Sequence, residues 1–265
     1  MIEFLRREIC TLYRSCRFTQ YIETRWNMTD NRKPPFQSTP EDDTQYHLMY
    51  LPRGISRLEK LGETVSVEAG TEINKIDEVP ECCYIIKSGR VQCYEYSYAG
   101  EQRIYNIMEP GSVVLEECLL FDKACPILFK TLTPSELIRI EKCDLKRAFK
   151  HDIDIVMDIC ESISNKFLSS MEHLRLSHNH NASWKICRIL LTYARHYGTE
   201  YDGKTLITEK ISQQMLADLL GLNRITVTRR LKELKELALI EVINGYFCIR
   251  DIDQLKNHME SLEMD

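Results

Sequence analysis

The 265-residue sequence contains no run of 18 apolar residues, so no membrane-spanning helix is expected from it. Its first residues mix acidic and basic side chains, without a continuous apolar stretch before a small-residue cleavage site. That pattern points away from secretion and toward the cytoplasm. Eleven cysteines are scattered from Cys10 to Cys248 with no CxxC pair, the clustering that structural zinc and iron–sulfur sites ordinarily show. They read as reduced, small hydrophobes, and no metal or resident cofactor is expected. Histidine is missing between residues 60 and 143, all seven lying elsewhere. A metal-dependent barrel enzyme would need imidazole and carboxylate ligands on its inward faces, so a barrel in that stretch reads as a binding module. A glycine-rich phosphate loop running into Lys-Ser/Thr is also absent. Nor is there an excess of positive charge: the formal net charge is −5. For a nucleic-acid binder the local sign matters more than the total.

The local sign is positive in one place. Ser212 can cap a helix, and Met215, Leu216, Leu219 and Leu220 recur at the spacing of one apolar face. Gly221 can end that helix in a left-handed turn, with Leu222 in the corner. A second helix from about Asn223 buries Val227, Leu231 and Leu234, and carries five basic residues and one acidic up to Lys235. This is the pattern of a helix-turn-helix whose second helix reads DNA: lysine and arginine neutralise phosphates, and an arginine near the helix start reaches a guanine edge. The candidate DNA-binding residues are Ser212, Gln213, Asn223, Arg224, Ile225, Thr226, Thr228, Arg229 and Lys232. Two short strands around Asn244-Gly245, the strongest short-range signal for a type I′ turn, make the unit a winged helix.

Upstream, alternating apolar segments at 64–67, 83–87, 90–96, 102–107, 127–132 and 136–140 are punctuated by glycine turns. That texture suits a β-roll or jelly roll ending near Lys142. A helix follows from roughly Asp152 to Leu176, with Val156, Ile159, Ile163, Phe167, Met171 and Leu174 forming one apolar stripe suited to pairing with a second copy. Lys166 lies on or beside that stripe. It either snorkels to water or fixes helix register, or else pairs with an anionic effector where roll and helix meet. Ser183 can cap the next helix, 184–197, ended by Gly198; a strand at 205–208 and a terminal helix at 253–262 complete the chain. The expected class is α+β. Residues 1–55 form a partly irregular extension, 56–143 the β-roll sensor, 144–180 the dimerisation helix and 181–265 the winged helix-turn-helix.

This order resembles the cyclic-AMP receptor protein and fumarate–nitrate reduction regulator superfamily of bacterial transcription factors. The likeness spans about residues 60 to 255. It rests on VEAG at 67–70, IIKSGRV at 85–91, AGEQR at 99–103, MEPGS at 108–112 and LADLLGLNRITVTRRLKEL at 216–234. It implies a homodimer on a palindromic DNA site, RNA polymerase as a partner in activation, and a small-molecule effector between roll and long helix. The effector residues it implies are Leu115, Glu116, Cys118, Ile163, Lys166 and Phe167.

Departures narrow the branch. The family's cyclic-nucleotide cassette carries Gly-Glu-Leu and then Arg-Ser; here Leu115-Glu116-Glu117 and Cys125-Pro126 stand in those places. Without the guanidinium a cyclic phosphate loses its charge-assisted partner, so an effector other than cyclic AMP is expected. The oxygen-sensing branch has a tight N-terminal cysteine cluster, for which only Cys10 and Cys16 are present. In haem-binding branches an axial His or Cys is needed, and the roll offers only cysteine. The family's Arg-Glu-Thr-Val-x-Arg becomes Arg224-Ile225-Thr226-Val227-Thr228-Arg229, so an apolar contact replaces the glutamate and the half-site should depart from TGTGA toward A·T. The run from Asp152 to Lys166 is also similar to regulators of reductive dehalogenation, which implies a halogenated phenol as effector. A cysteine-based redox regulator of the same fold remains the alternative.

Overall fold

The computed structural model describes residues 48–49 and 55–262. Most of the extension expected over residues 1–55, with Cys10 and Cys16, lies outside the described residues.

The alternating segments build two four-stranded sheets. One has the order β1 (Leu48–Met49), β5 (Gln102–Met108), β4 (Val91–Tyr96), β7 (Leu128–Thr131), and the other β2 (Glu63–Val67), β8 (Ser135–Glu141), β3 (Cys82–Ser88), β6 (Val113–Val114). All pairs in them are antiparallel except β1 with β5. The central strands β3 and β4 are buried at consecutive positions and fill the roll. Cys83 and Ile85 on β3 and Val91 and Cys93 on β4 enter one core with Met108, Leu115, Phe129 and Leu137. Each fully buried aliphatic side chain contributes about 1.5–3 kcal/mol. The β3–β4 turn needs glycine: Gly89 has φ +83°, and a Cβ there would lie 2.7 Å from the carbonyl oxygen of Pro134.

Three short helices edge the roll: α1 (Ile55–Leu58), α2 (Glu116–Leu120) and α3 (Lys142–His151). The sequence reading missed α2 and β6, both too short for any periodicity. Between them Leu115 has φ +72° and is 1% exposed. A left-handed backbone costs a non-glycine residue about 1–2 kcal/mol, which burial of the leucine side chain offsets.

The long helix α4 (Ile153–Asn179) begins after Asp152, whose extended backbone separates it from α3 and whose side chain accepts a bond from the Asp154 amide. The single apolar stripe expected along it is corrected. Ile155 and Ile159 are buried in the roll's core and Ile163 packs partly against it, whereas Phe167, Leu168, Met171 and Leu174 are exposed. At 100° per residue Phe167 lies about 80° around the helix from Ile159, so steps of four drift off the inward face.

The C-terminal unit has its own core, led by Trp184, Ile189 and Tyr193 of α5 (Ala182–Tyr197). Asn181, not Ser183, caps α5: its Oδ1 accepts from the Trp184 amide at 3.0 Å, and Ser183 is already in the first turn. A hairpin of β9 (Gly198–Tyr201) and β10 (Lys204–Ile207) follows, then α6 (Gln213–Leu220) and α7 (Arg224–Glu236). The wing is β11 (Ile240–Ile243) and β12 (Tyr246–Ile249), and α8 (Ile252–Ser261) closes the chain. These four strands form a third sheet ordered β11-β12-β10-β9. Asn244 and Gly245 have φ +52° and +87°, as a type I′ turn demands. Tyr94, Ile104 and Ile107 of the roll belong to this second core rather than the first. No helix among the described residues is long and apolar enough to cross a membrane.

Candidate functional site

Two groups of side chains stand out, one on the surface and one buried. The surface group is the outer face of α7. Ser212 caps α6 by accepting from the Met215 amide at 3.0 Å, and Gly221 ends that helix at φ +59°. Asn223 is the cap of α7, not its first turn, and accepts from the Ile225 amide at 2.8 Å. Val227, Leu231 and Leu234 are buried, leaving Arg224, Ile225, Thr228, Arg229 and Lys232 exposed, while Thr226 is half-buried. Ile225 is 78% exposed, an apolar side chain held in water on a basic face. Gln213 joins the two helices: the Thr228 hydroxyl lies 2.7 Å from its Oε1 and 2.9 Å from the Arg224 carbonyl. Arg224 and Arg229 have no ion-pair partner among the described residues; Arg230 is tied to Glu233 and Lys232 loosely to Glu236.

The buried group lies where α4 crosses the roll. Glu116 is completely buried. Its Oε1 accepts from the Ser162 hydroxyl at 2.6 Å and its Oε2 from the Lys166 ammonium at 2.6 Å. The same ammonium donates to Oε2 of Glu117 at 2.9 Å. Lys166 therefore neither snorkels to water nor waits uncompensated for an anion. This corrects the snorkelling reading, because two carboxylates from the segment Glu116–Glu117 already hold it. Burial pushes the Glu116 carboxyl up to about 7, against the pull of Lys166 and with the push of Glu117. Burial also opposes ionisation of Glu117, but Lys166 and a hydrogen bond from Glu116 outweigh it and hold that carboxyl below its ordinary value. The lysine is driven up: burial disfavours its charge, and the two glutamates more than compensate.

Leu115, the residue before α2, and Cys118 on it flank this cluster, and Ile163 of α4 packs against the same core. Phe167 does not join it, being 63% exposed and about 100° around α4 from Lys166. Ser162 and Glu117 were absent from the sequence-predicted set. A signal existed for Ser162, since Asp158, Ser162 and Lys166 recur every four residues beside the apolar Ile155, Ile159 and Ile163.

Three buried cysteines of the roll are poor nucleophiles. Burial pushes the Cys83 and Cys93 thiols far up, and Cys118, with Cys125 beside it, up to about 12. Cys143 and Cys160 are exposed. No group of three or more metal-ligating side chains occurs among the described residues.

Comparison with known proteins matches both halves. Residues 64–152 fit the cyclic nucleotide-binding domain and residues 185–258 the Crp-like helix-turn-helix domain. The global nitrogen regulator of Nostoc sp. (strain PCC 7120) is 24% identical over 164 residues, covering 61% of this chain and 74% of that one. A CRP/FNR-family transcriptional regulator from Thermus thermophilus superposes with a TM-score of 0.64 at 22% identity, over 76% of this chain and all of that one. CprK complexed with OCPA superposes with a TM-score of 0.61 at 15% identity, over 78% and 96% of the two chains.

Proposed function

We propose that this chain, which belongs to the cyclic-AMP receptor protein and fumarate–nitrate reduction regulator superfamily of transcription regulators, binds a palindromic promoter site as a homodimer and answers to a small molecule other than cyclic AMP. The exposed face of α7 carries the reading: Arg224 and Arg229 flank Ile225, and among the described residues no ion pair holds either arginine off a major groove. The second copy is supported by Phe167, Leu168, Met171 and Leu174, an apolar strip on α4 that its own protomer leaves exposed. Pairing along α4 sets two α7 helices on adjacent turns of a duplex.

The effector acts at the junction of α2 and α4. A cyclic phosphate is disfavoured there, because no arginine stands at Cys125-Pro126 and Glu116 is buried beside the place it would take. A monoanion such as a phenolate engages Lys166 by replacing Glu117, the more exposed of its two partners. Activation through RNA polymerase is the regulatory output.

The test is selection of DNA from a random pool by the full-length protein, followed by fluorescence anisotropy on the enriched sequence at fixed salt. The expected product is a two-fold symmetric site bound by a dimer. Enrichment of no sequence, or of an asymmetric one bound by a monomer, overturns the proposal.

A further inference from the structure

Four residues outside both candidate sites join the roll to the winged helix. Arg90 follows the Gly89 turn, and its Nη2 donates to Oε1 of Glu209 at 2.6 Å, with the side chains 15% and 26% exposed. The Arg90 guanidinium also lies 5.9 Å from the ring centroid of Tyr197, whose hydroxyl donates to the carboxylate of Glu109. Each side of this clasp is stiff. On the winged-helix side, the amide and hydroxyl of Thr208, next to Glu209, both donate to the Tyr197 carbonyl at 2.8 Å. On the roll side, Ile86 ties β3 to the 109–112 turn, accepting from the Gly111 amide at 2.8 Å and donating to the Ser112 carbonyl at 2.9 Å.

We infer that Arg90, Glu109, Tyr197 and Glu209 are positioning residues for DNA reading, a clasp that fixes the angle of α7 against the roll and so the separation of the two α7 helices in a dimer. The inference rests on the DNA-binding reading above. Two further observations support it. The clasp is an expensive way to glue two surfaces: Nη1 of Arg90 and the hydroxyl of Tyr193 are buried with no hydrogen-bond partner among the described residues. Apolar contacts through Tyr94, Ile104 and Ile107 already join the units, and apolar contacts tolerate sliding where bonded, directional pairs do not. The clasp also lies in line with the buried cluster. Glu109 and Glu116 are the two ends of one short segment through β6, which β3 holds by pairing Val113 and Val114 with Ile85 and Tyr84. A shift of Glu116 is passed along that segment to the ring that Glu109 holds.

The experiment uses the full-length protein and three near-isosteric variants, Arg90→Met, Glu209→Gln and Tyr197→Phe, with the double variant Arg90→Met/Glu209→Gln. Hydrogen exchange comes first: protection of β5 and α6 should fall in every variant while that of β3 and β8 holds. Anisotropy then uses DNA enriched by the wild type, beside copies with the half-site spacing lengthened or shortened by one base pair. The single variants should lose about tenfold on the parent spacing and less than the wild type on the altered spacings. The double should be no worse than the poorer single, as for two ends of one contact. Unchanged exchange in all variants overturns the clasp whatever the DNA result. Raised exchange with wild-type affinity and spacing preference overturns its role in reading. If the wild type enriches no sequence, the DNA-binding reading falls and this inference with it.

Discussion

The ammonium of Lys166 lies 2.6 Å from a carboxylate oxygen of Glu116, fifty residues earlier in the chain and completely shielded from water. That one contact fastens the long helix to the segment after β6, and Glu117 and Ser162 complete it. A buried ion pair contributes less than its geometry suggests, since both ions lose their water; breaking it from one side is another matter.

Lys166→Met should accordingly destabilise the fold by about 3–5 kcal/mol, because two carboxylates are left without their cation. Denaturant titration measures the loss. Adding Glu116→Gln to the Lys166→Met background should recover part of it. A Lys166→Met protein as stable as the wild type would show that the cluster carries no net interaction.

Stability should also depend on pH. Glu116 is raised from 4.5 to about 7 in the folded protein, so the folded state holds a proton that the unfolded chain releases. Its contribution is present in full below about pH 4.5 and is lost as pH rises through 7. Glu117 is shifted the other way, and its contribution fades as pH falls. Between pH 5 and 8 the denaturation midpoint should decline, and Glu116→Gln should flatten that decline. A midpoint that climbs over this range in the wild type would contradict the assignment.

Arg229→Ala should abolish sequence-specific binding and leave the dimer intact, as read by anisotropy and by light scattering. Arg224→Ala should cost about 1–3 kcal/mol at one base pair of each half-site and relax selectivity there. If Arg229→Ala still binds the selected site normally, α7 is not the reading helix.

Ile225→Glu should move preference at its position toward a cytosine, whose amino group donates to a carboxylate, and away from a thymine, whose methyl an isoleucine can contact. Repeating the selection with this variant reads the change directly. An identical enriched site would mean that Ile225 does not face the bases.

Phe167→Glu with Met171→Glu should convert the dimer to a monomer while the winged helix stays folded, since both side chains are already exposed in the protomer. Sedimentation gives the mass, and specific DNA affinity should fall with it. A persisting dimer would place the seam elsewhere.

What could be read in advance was local. Ser212, Gly221 and the Asn244-Gly245 turn each announce a backbone conformation within a few residues, and all three adopt it. The strands of the roll were legible because alternation is a short-range pattern. The partners of Lys166 were not, because nothing near residue 166 records that Glu116 and Glu117 arrive from 50 and 49 residues away. The same limit hid the division of cores. Tyr94, Ile104 and Ile107 lie on strands of the roll, yet pack with the winged helix. The stripe on α4 misled for a geometric reason: steps of four from Ile159 to Phe167 turn gradually away from the roll. Residues chosen for being apolar thus straddled an inner face and an outer one. A second polar rhythm through Asp158, Ser162 and Lys166 marked the inner face.

That division of α4 bears on ancestry and on mistaken partnership. The inward polar residues Ser162 and Lys166 and the exposed residues Phe167, Leu168, Met171 and Leu174 occupy different sectors of one helix. If the inner sector meets the effector and the outer one the second protomer, as proposed, two copies could after a duplication diverge in the signal they detect without any change in the surface by which they find a mate. They would go on forming mixed pairs, each half listening for a different compound, until substitutions accumulated in the outer sector. Insulation between sister regulators is thus to be sought at residues that touch neither signal nor DNA.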